Sequence, residues 1–203
     1  MRRMRKQTVC LILFLGSVVS LCGCKKVAFR HDMRNVEERD YATVLILHEN
    51  EEDENYQMVL GIAKEKIVGE KSMVEDVSRW EEADLLALQK DYENVKGKNL
   101  SLAHLKVILC NCVPSHATIE MLEKENDVAK TCPVLIVEQE EEFQNYMKES
   151  KEPVGNYLER LIRIQEKKGK KLTWLLDYSK QMHEDDDLQI MVLKKRKEGY
   201  EIE

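Results

Sequence analysis

The sequence predicts an α/β fold, a single domain with a mixed β-sheet flanked by helices, placed behind a lipoprotein signal peptide. Three observations carry that expectation. Short apolar runs of strand-forming residues recur along the chain, amphipathic helical stretches alternate with them, and the N-terminus has the charge and apolar layout of an export leader closing on Leu21-Cys22-Gly23-Cys24. Of the 203 residues 43% are hydrophobic and 34% charged, with only three prolines, a balance that suits a folded, helix-rich chain and not a disordered one.

The leader comes first. Arg2, Arg3, Arg5 and Lys6 form a positive n-region, and residues 9–21 carry no charge. Gly23 is the small residue before Cys24, and Leu21 is the aliphatic residue three before it, the pair that a lipoprotein signal peptidase recognises. Cleavage there makes Cys24 the first mature residue and the site of lipid attachment, which anchors the chain to a membrane; more than one acyl chain gives a stable hold. A transmembrane helix needs about 20 apolar residues, more than this run offers. An ordinary secretory signal favours a small-x-small cleavage site, which Leu21-Cys22-Gly23 is not. The expected organisation is therefore residues 1–23 as a removed signal peptide, 24–40 as a lipid-anchored tether, and 41–203 as the α/β domain.

Removal of the first 23 of 203 residues leaves 180, enough for one domain with a real core. The leader holds four of the 32 basic residues and none of the 38 acidic ones, so the mature chain carries a net charge of −10. That charge argues against nucleic acid as a partner and against a general electrostatic hold on anionic lipid, leaving the lipid on Cys24 as the attachment.

The elements follow in order. Residues 41–47 (Tyr-Ala-Thr-Val-Leu-Ile-Leu) and 56–63 read as two strands of a hairpin, joined by the acidic stretch 48–55. Residues 70–76 lead into a helical pattern in which Val74, Val77, Trp80, Leu85, Leu88 and Tyr92 recur every three to five positions, ended by Gly97. Residues 105–110 are a strand. Ser115 caps a helix running through Ile119, Met121, Leu122 and Val128. Pro133 opens Val134-Leu135-Ile136-Val137, a near-continuous apolar run of the kind found in a sheet covered on both faces. Residues 140–148 and 154–164 form helices, the second with Pro153 at its start and Gly169 beyond its end. Residues 172–182 form another, grouping Trp174, Leu175 and Tyr178. Asp185-Asp186-Asp187 breaks it, and residues 188–193 make a last strand before a charged tail at 194–197.

Several stretches carry a resemblance. Residues 99–109 (Asn-Leu-Ser-Leu-Ala-His-Leu-Lys-Val-Ile-Leu) give a leucine-, serine- and histidine-containing turn before a strand. Pro133-Val134-Leu135-Ile136-Val137-Glu138 with Phe143 and Met147, then Glu152-Pro153-Val154-Gly155-Asn156-Tyr157-Leu158, and Glu37-Glu38-Arg39-Asp40-Tyr41-Ala42-Thr43-Val44 near the front complete the series. In this order, and behind this leader, they resemble the N-terminal domain of the C-subunit lipoproteins of spore germinant receptors, the Ger(x)C family. The departures are Lys25-Lys26, where the family usually places Trp-Asp after the lipid-bearing cysteine, and the further domains into which full-length members continue. The resemblance implies a non-enzymatic subunit with no cofactor and no catalytic residue. It would sit on the outer face of the inner spore membrane beside integral membrane receptor subunits and help the receptor respond to nutrients.

Other constellations have bland readings. Cys110-Asn111-Cys112 with His116 and Cys132 offers soft ligand types for zinc, but lacks the usual C-x2-C pair; buried small hydrophobes, or one disulfide from Cys132 to Cys110 or Cys112, read better. His104 reads as a structural histidine at a strand entrance, since no nucleophile arrangement surrounds it. Glu184 with Asp185-Asp186-Asp187 lacks the alternating oxygens and glycine of a calcium loop, and it reads as a solvated turn, as does the acidic run 49–54. Trp80 and Trp174 read as core residues on helices. No Gly-rich nucleotide motif, H-E-x-x-H or G-x-S-x-G occurs. A second reading is a solute-binding lipoprotein delivering a small ligand to a transporter, which would call for two lobes and a longer chain. A third is a lipid-anchored hydrolase.

Overall fold

β1 (Arg39–His48) is the strand on which the rest is assembled. The computed structural model describes residues 39–49, 55–66, 72–184, 190–197 and 199–203. β1 pairs antiparallel with β2 (Tyr56–Lys66), which pairs antiparallel with β3 (Ser72–Glu82). On its other side β1 pairs in parallel with β5 (Val107–Cys110), which is followed outward by parallel β6 (Val134–Val137) and β7 (Val192–Arg196). β8 (Gly199–Ile202) turns back antiparallel on β7, and β4 (Asn99–Ser101) also pairs with β1. The sheet is thus mixed and eight-stranded, in the order β3-β2-β1-β5-β6-β7-β8 with β4 off this path.

Five helices among the described residues cover its two faces: α1 (Leu85–Lys96), α2 (His116–Lys124), α3 (Glu140–Glu149), α4 (Val154–Lys167) and α5 (Leu175–Glu184). The alternation of side chains along each strand divides the core in two. Leu45 and Leu47 of β1, Ile108 and Cys110 of β5 and Val134 of β6 join Leu85, Leu88 and Tyr92 of α1, Ile119 and Leu122 of α2 and Leu175 and Tyr178 of α5. Val44, Ile46, Val107, Leu109, Leu135 and Val137 point the other way, toward Phe143 and Met147 of α3 and Val154, Leu158 and Ile162 of α4. The central strands read as unbroken apolar runs because both of their faces are covered.

Local signals set the helix ends. Asp84 caps α1 by accepting from Ala87 N at 2.7 Å, and Gly97, at φ 66°, ends it with its N–H on Glu93 O. Ser115 caps α2 by accepting from Thr118 N at 3.2 Å. Gly155 is required for a different reason. A Cβ there would lie 2.6 Å from Thr43 Cβ, at the point where a register shift in the β1–β2 ladder displaces Thr43, so only a glycine lets α4 lie this close to the sheet.

The sequence expectation of an α/β domain with a mixed sheet holds, and four elements differ from their sequence reading. The helical pattern read from 70–76 onward is β3 up to Glu82, and the helix starts only at Leu85. In that strand Val77 packs toward one face of the sheet and Trp80 toward the other, so Trp80 is a strand residue and not a helical one. The strand expected at 188–193 lies further on, as β7, and the supposed charged tail is its continuation into a hairpin with β8. α2 stops at Lys124, short of Val128, and α5 begins after Trp174, which instead bridges to Pro133. Within the unit Asp40–Glu203, no helix of the described residues is long and apolar enough to cross a membrane.

Candidate functional site

Folds with parallel strands covered by helices place ligands outside the C-terminal ends of those strands, where helix N-termini bring partial positive charge. In this chain that rim is filled from within. β1 ends at His48, and the next residue, Glu49, exchanges two hydrogen bonds with Asn111 beyond the end of β5: Glu49 N donates to Asn111 Oδ1 at 2.9 Å, and Asn111 Nδ2 donates to Glu49 O at 3.1 Å. This brace aims the Glu49 carboxylate at the start of α2, where it accepts from Ser115 N at 3.0 and 3.3 Å. A side chain of the protein thereby occupies the place that an anionic ligand would take at a helix N-terminus.

The start of α3 is filled in the same way. Gln139 adopts φ 57° and offers no side-chain cap, and Glu140, Glu141 and Glu142 make up the first turn. Glu140 is held from both sides, with His48 Nδ1 2.8 Å from one oxygen and Gln144 Nε2 donating to the other at 2.6 Å. Arg79 of β3 donates to Gln144 Oε1 at 2.6 Å, so a polar chain crosses from β3 over α3 to the end of β1. Carboxylates at helix N-termini are electrostatically content, and this arrangement repels anions and supplies no activated nucleophile.

The opposite ends of the strands hold a different cluster. Asp40, at the start of β1 and almost fully buried, accepts from Tyr92 Oη at 2.7 Å and from Lys98 Nζ at 3.1 Å, with Lys64 Nζ at 3.8 Å. Burial by itself raises the Asp40 pKa, but the Tyr92 and Lys98 hydrogen bonds and the two ammonium charges outweigh it, and the carboxyl titrates below its usual range. Burial and the neighbouring Asp40 charge push the Tyr92 phenol up, so it remains a hydrogen-bond donor.

The residues singled out from sequence fall as follows. Leu21, Gly23 and Cys24 lie outside the described residues, as do Glu51, Glu52 and Glu54 of the acidic run and Asp185 to Asp187. Cys110 and Cys132 are buried in one apolar cluster and Cys112 is exposed; among the described residues none of the three is in a disulfide. Burial pushes the Cys132 thiol up to about 12 and raises that of Cys110 also, which keeps both protonated and unreactive. Among the described residues no three His, Cys, Asp or Glu side chains are grouped to hold a metal ion. His104 is exposed at the entrance to β5, its ring edge-on to Tyr41 with centroids 4.6 Å apart. A surface groove of about 620 Å³ runs between α1 and α2 past Tyr56, Leu86 and Met121; Leu86 is 70% exposed there, and one exposed leucine needs no special account. Sequence reading took Glu49 as part of a solvated turn, whereas it is half-buried and bonded to Asn111 and Ser115, and it gave Asp40 and Arg79 no role. Glu49 alone left a signal, as the first acid after an apolar strand.

Comparison with known proteins gives the context for this geometry. Residues 32–195 match the family model described as the spore germination protein N-terminal domain. The chain belongs to that family. Membership gives the spore germination domain its broad role, in germination, and it agrees with the resemblance drawn from the residues. No curated protein and no solved structure matches the chain. In this spore germination domain, then, the rim at the strand C-termini is closed by its own carboxylates, and the opposite rim is tied to the buried Asp40.

Proposed function

We propose that this protein is a membrane-anchored, non-enzymatic accessory subunit of a nutrient germinant receptor, acting through protein contacts on the outer face of the inner spore membrane. The family match over residues 32–195 carries the reading. Two further observations support it. Leu21-Cys22-Gly23-Cys24 has the form of a lipidation site, with lipid on Cys24 as the anchor. The rim where an enzyme of this architecture would hold a ligand is occupied by Glu49 and Glu140, which favours a protein that works through its surfaces over one that turns over a substrate.

The test is made in spores. Cys24→Ala should release the protein from the inner membrane and slow nutrient-triggered germination, and the parent protein should copurify with multi-span membrane subunits. Normal germination by the Cys24→Ala strain, with the protein absent from the membrane fraction, would overturn the reading.

A further inference from the structure

We infer that the lysine-rich end of α4 seats this domain on an anionic phospholipid surface, an inference that rests on the membrane attachment proposed above. Three contacts fix the course of α4. Gly155 lies against Thr43 of β1, the Glu159 carboxylate meets Lys106 Nζ at 3.2 Å just before β5, and after the helix Thr173 O accepts from Val134 N at the start of β6. α4 therefore runs along the N-terminal ends of the central strands, and its last turn comes to lie at the foot of β6.

That turn is strongly cationic. Residues 163–171 read Arg-Ile-Gln-Glu-Lys-Lys-Gly-Lys-Lys, five cations to one acid, and all but Gln165 are exposed. Arg163 is paired with Glu159, whereas among the described residues Lys167, Lys168, Lys170 and Lys171 pair with no acid. One or two lysines at a helix C-terminus answer the helix dipole, but Lys170 and Lys171 lie beyond the helix, past Gly169 at φ 75°. Ile164 stands 46% exposed one turn earlier and adds an apolar contact beside the charges.

β1 begins at Arg39 at this same end of the sheet, so the chain that would lead to an anchor leaves from the cationic side. Part of the protein's negative charge lies far from this turn. Glu49 and Glu140 to Glu142 lie at the other end of the strands, and β1 alone spans ten residues, roughly 33 Å. That is several times the Debye length of about 8 Å at physiological salt.

The test uses the chain from residue 24 onward carrying Cys24→Ala, so that no lipid confers binding and the whole unit Asp40–Glu203 is retained. It is floated with phosphatidylcholine vesicles made with and without phosphatidylglycerol, at low and high salt. Binding is expected only with phosphatidylglycerol, and high salt should release it. Replacing Lys167, Lys168, Lys170 and Lys171 by Gln should weaken binding roughly fivefold per lysine, while Arg at the same positions should preserve it. Lys90→Gln on α1 and Lys197→Gln, just past the C-terminal end of β7 at the opposite rim, serve as controls that should change nothing, and unchanged circular dichroism shows that each variant is folded. Equal binding to neutral vesicles, no binding by the parent, or undiminished binding by the folded fourfold Gln variant would each overturn the inference. So would lysine variants that bind vesicles normally yet lose an acidic protein partner. The mass of the Cys24 peptide from native membranes tests the anchor separately: acylated Cys24 with failed flotation defeats only the lipid seat, and unacylated Cys24 defeats the anchor.

Discussion

At the C-terminal ends of the parallel strands carboxylates meet helix N-termini, whereas at the N-terminal ends lysines gather around one buried carboxylate and along the end of α4. The first rim is electrostatically closed: Glu49 faces α2 and Glu140 faces α3, each held by a side chain from another element. The second has Asp40 as its fixed point, and the cations beyond the reach of Asp40 and Glu159 are left to solvent. The difference lies in what each rim offers to another molecule. The place where chemistry would occur is plugged with the chain's own acids, and the charge that can still attract something lies at the other end.

The comparison can be broken most sharply at Asp40. Asp40→Ala should destabilise the domain by about 3 kcal/mol in urea unfolding, because it leaves the Tyr92 hydroxyl and the Lys98 ammonium without their acceptor. The milder Asp40→Asn should show a pH signature. The native carboxyl titrates below its unfolded value, so its ionic contribution is complete above pH about 4 and is lost as pH falls through the native pKa. The gap between parent and Asp40→Asn should therefore close on acidification, and a gap independent of pH would refute the ionic role. Next in size is Gly155→Ala, expected to cost about 2 kcal/mol by forcing α4 away from Thr43, with a lowered melting temperature as the readout. At the other rim Glu49→Ala should cost only about 1 kcal/mol, since it removes an acceptor from one exposed helix start. The smallest effect, below about 1 kcal/mol, is expected for Tyr157→Phe, whose hydroxyl accepts from Tyr200 N and donates to Tyr200 O; faster amide exchange in β8 would reveal it. If Glu49→Ala proved as damaging as Asp40→Ala, the two rims would not differ in the way described.

Legibility in the sequence followed burial. β1, β5 and β6 were readable because both faces are covered and the apolar run is unbroken, and the start of α2 follows from its cap Ser115, which acts over three positions. β3 was not readable, because it is the outer strand of the sheet. Its charges interrupt the alternation, and Val74, Val77 and Trp80 fall at a spacing that also fits a helix. β7 and β8 were hidden by Lys194 to Lys197 for the same reason: the hairpin buries Leu193, Tyr200 and Ile202 and leaves the cations outside. The site was less legible than the fold. Glu49 and Ser115 lie 66 positions apart, and His48 and Glu140 lie 92 apart, so their meeting is a product of topology with no local trace.

The position of β1 also determines how the domain bears load. A pull on the chain ahead of Arg39 acts along β1, which is paired on both sides, by β2 and by β5. Its ladder bonds lie across the direction of pull, so they resist together in shear and do not break in succession as in a peeled hairpin. Asp40, bolted by Tyr92 and Lys98 at the point where the strand begins, is the first link to take that strain. A pull on the chain ahead of Arg39 is thus met by a strand from the middle of the sheet.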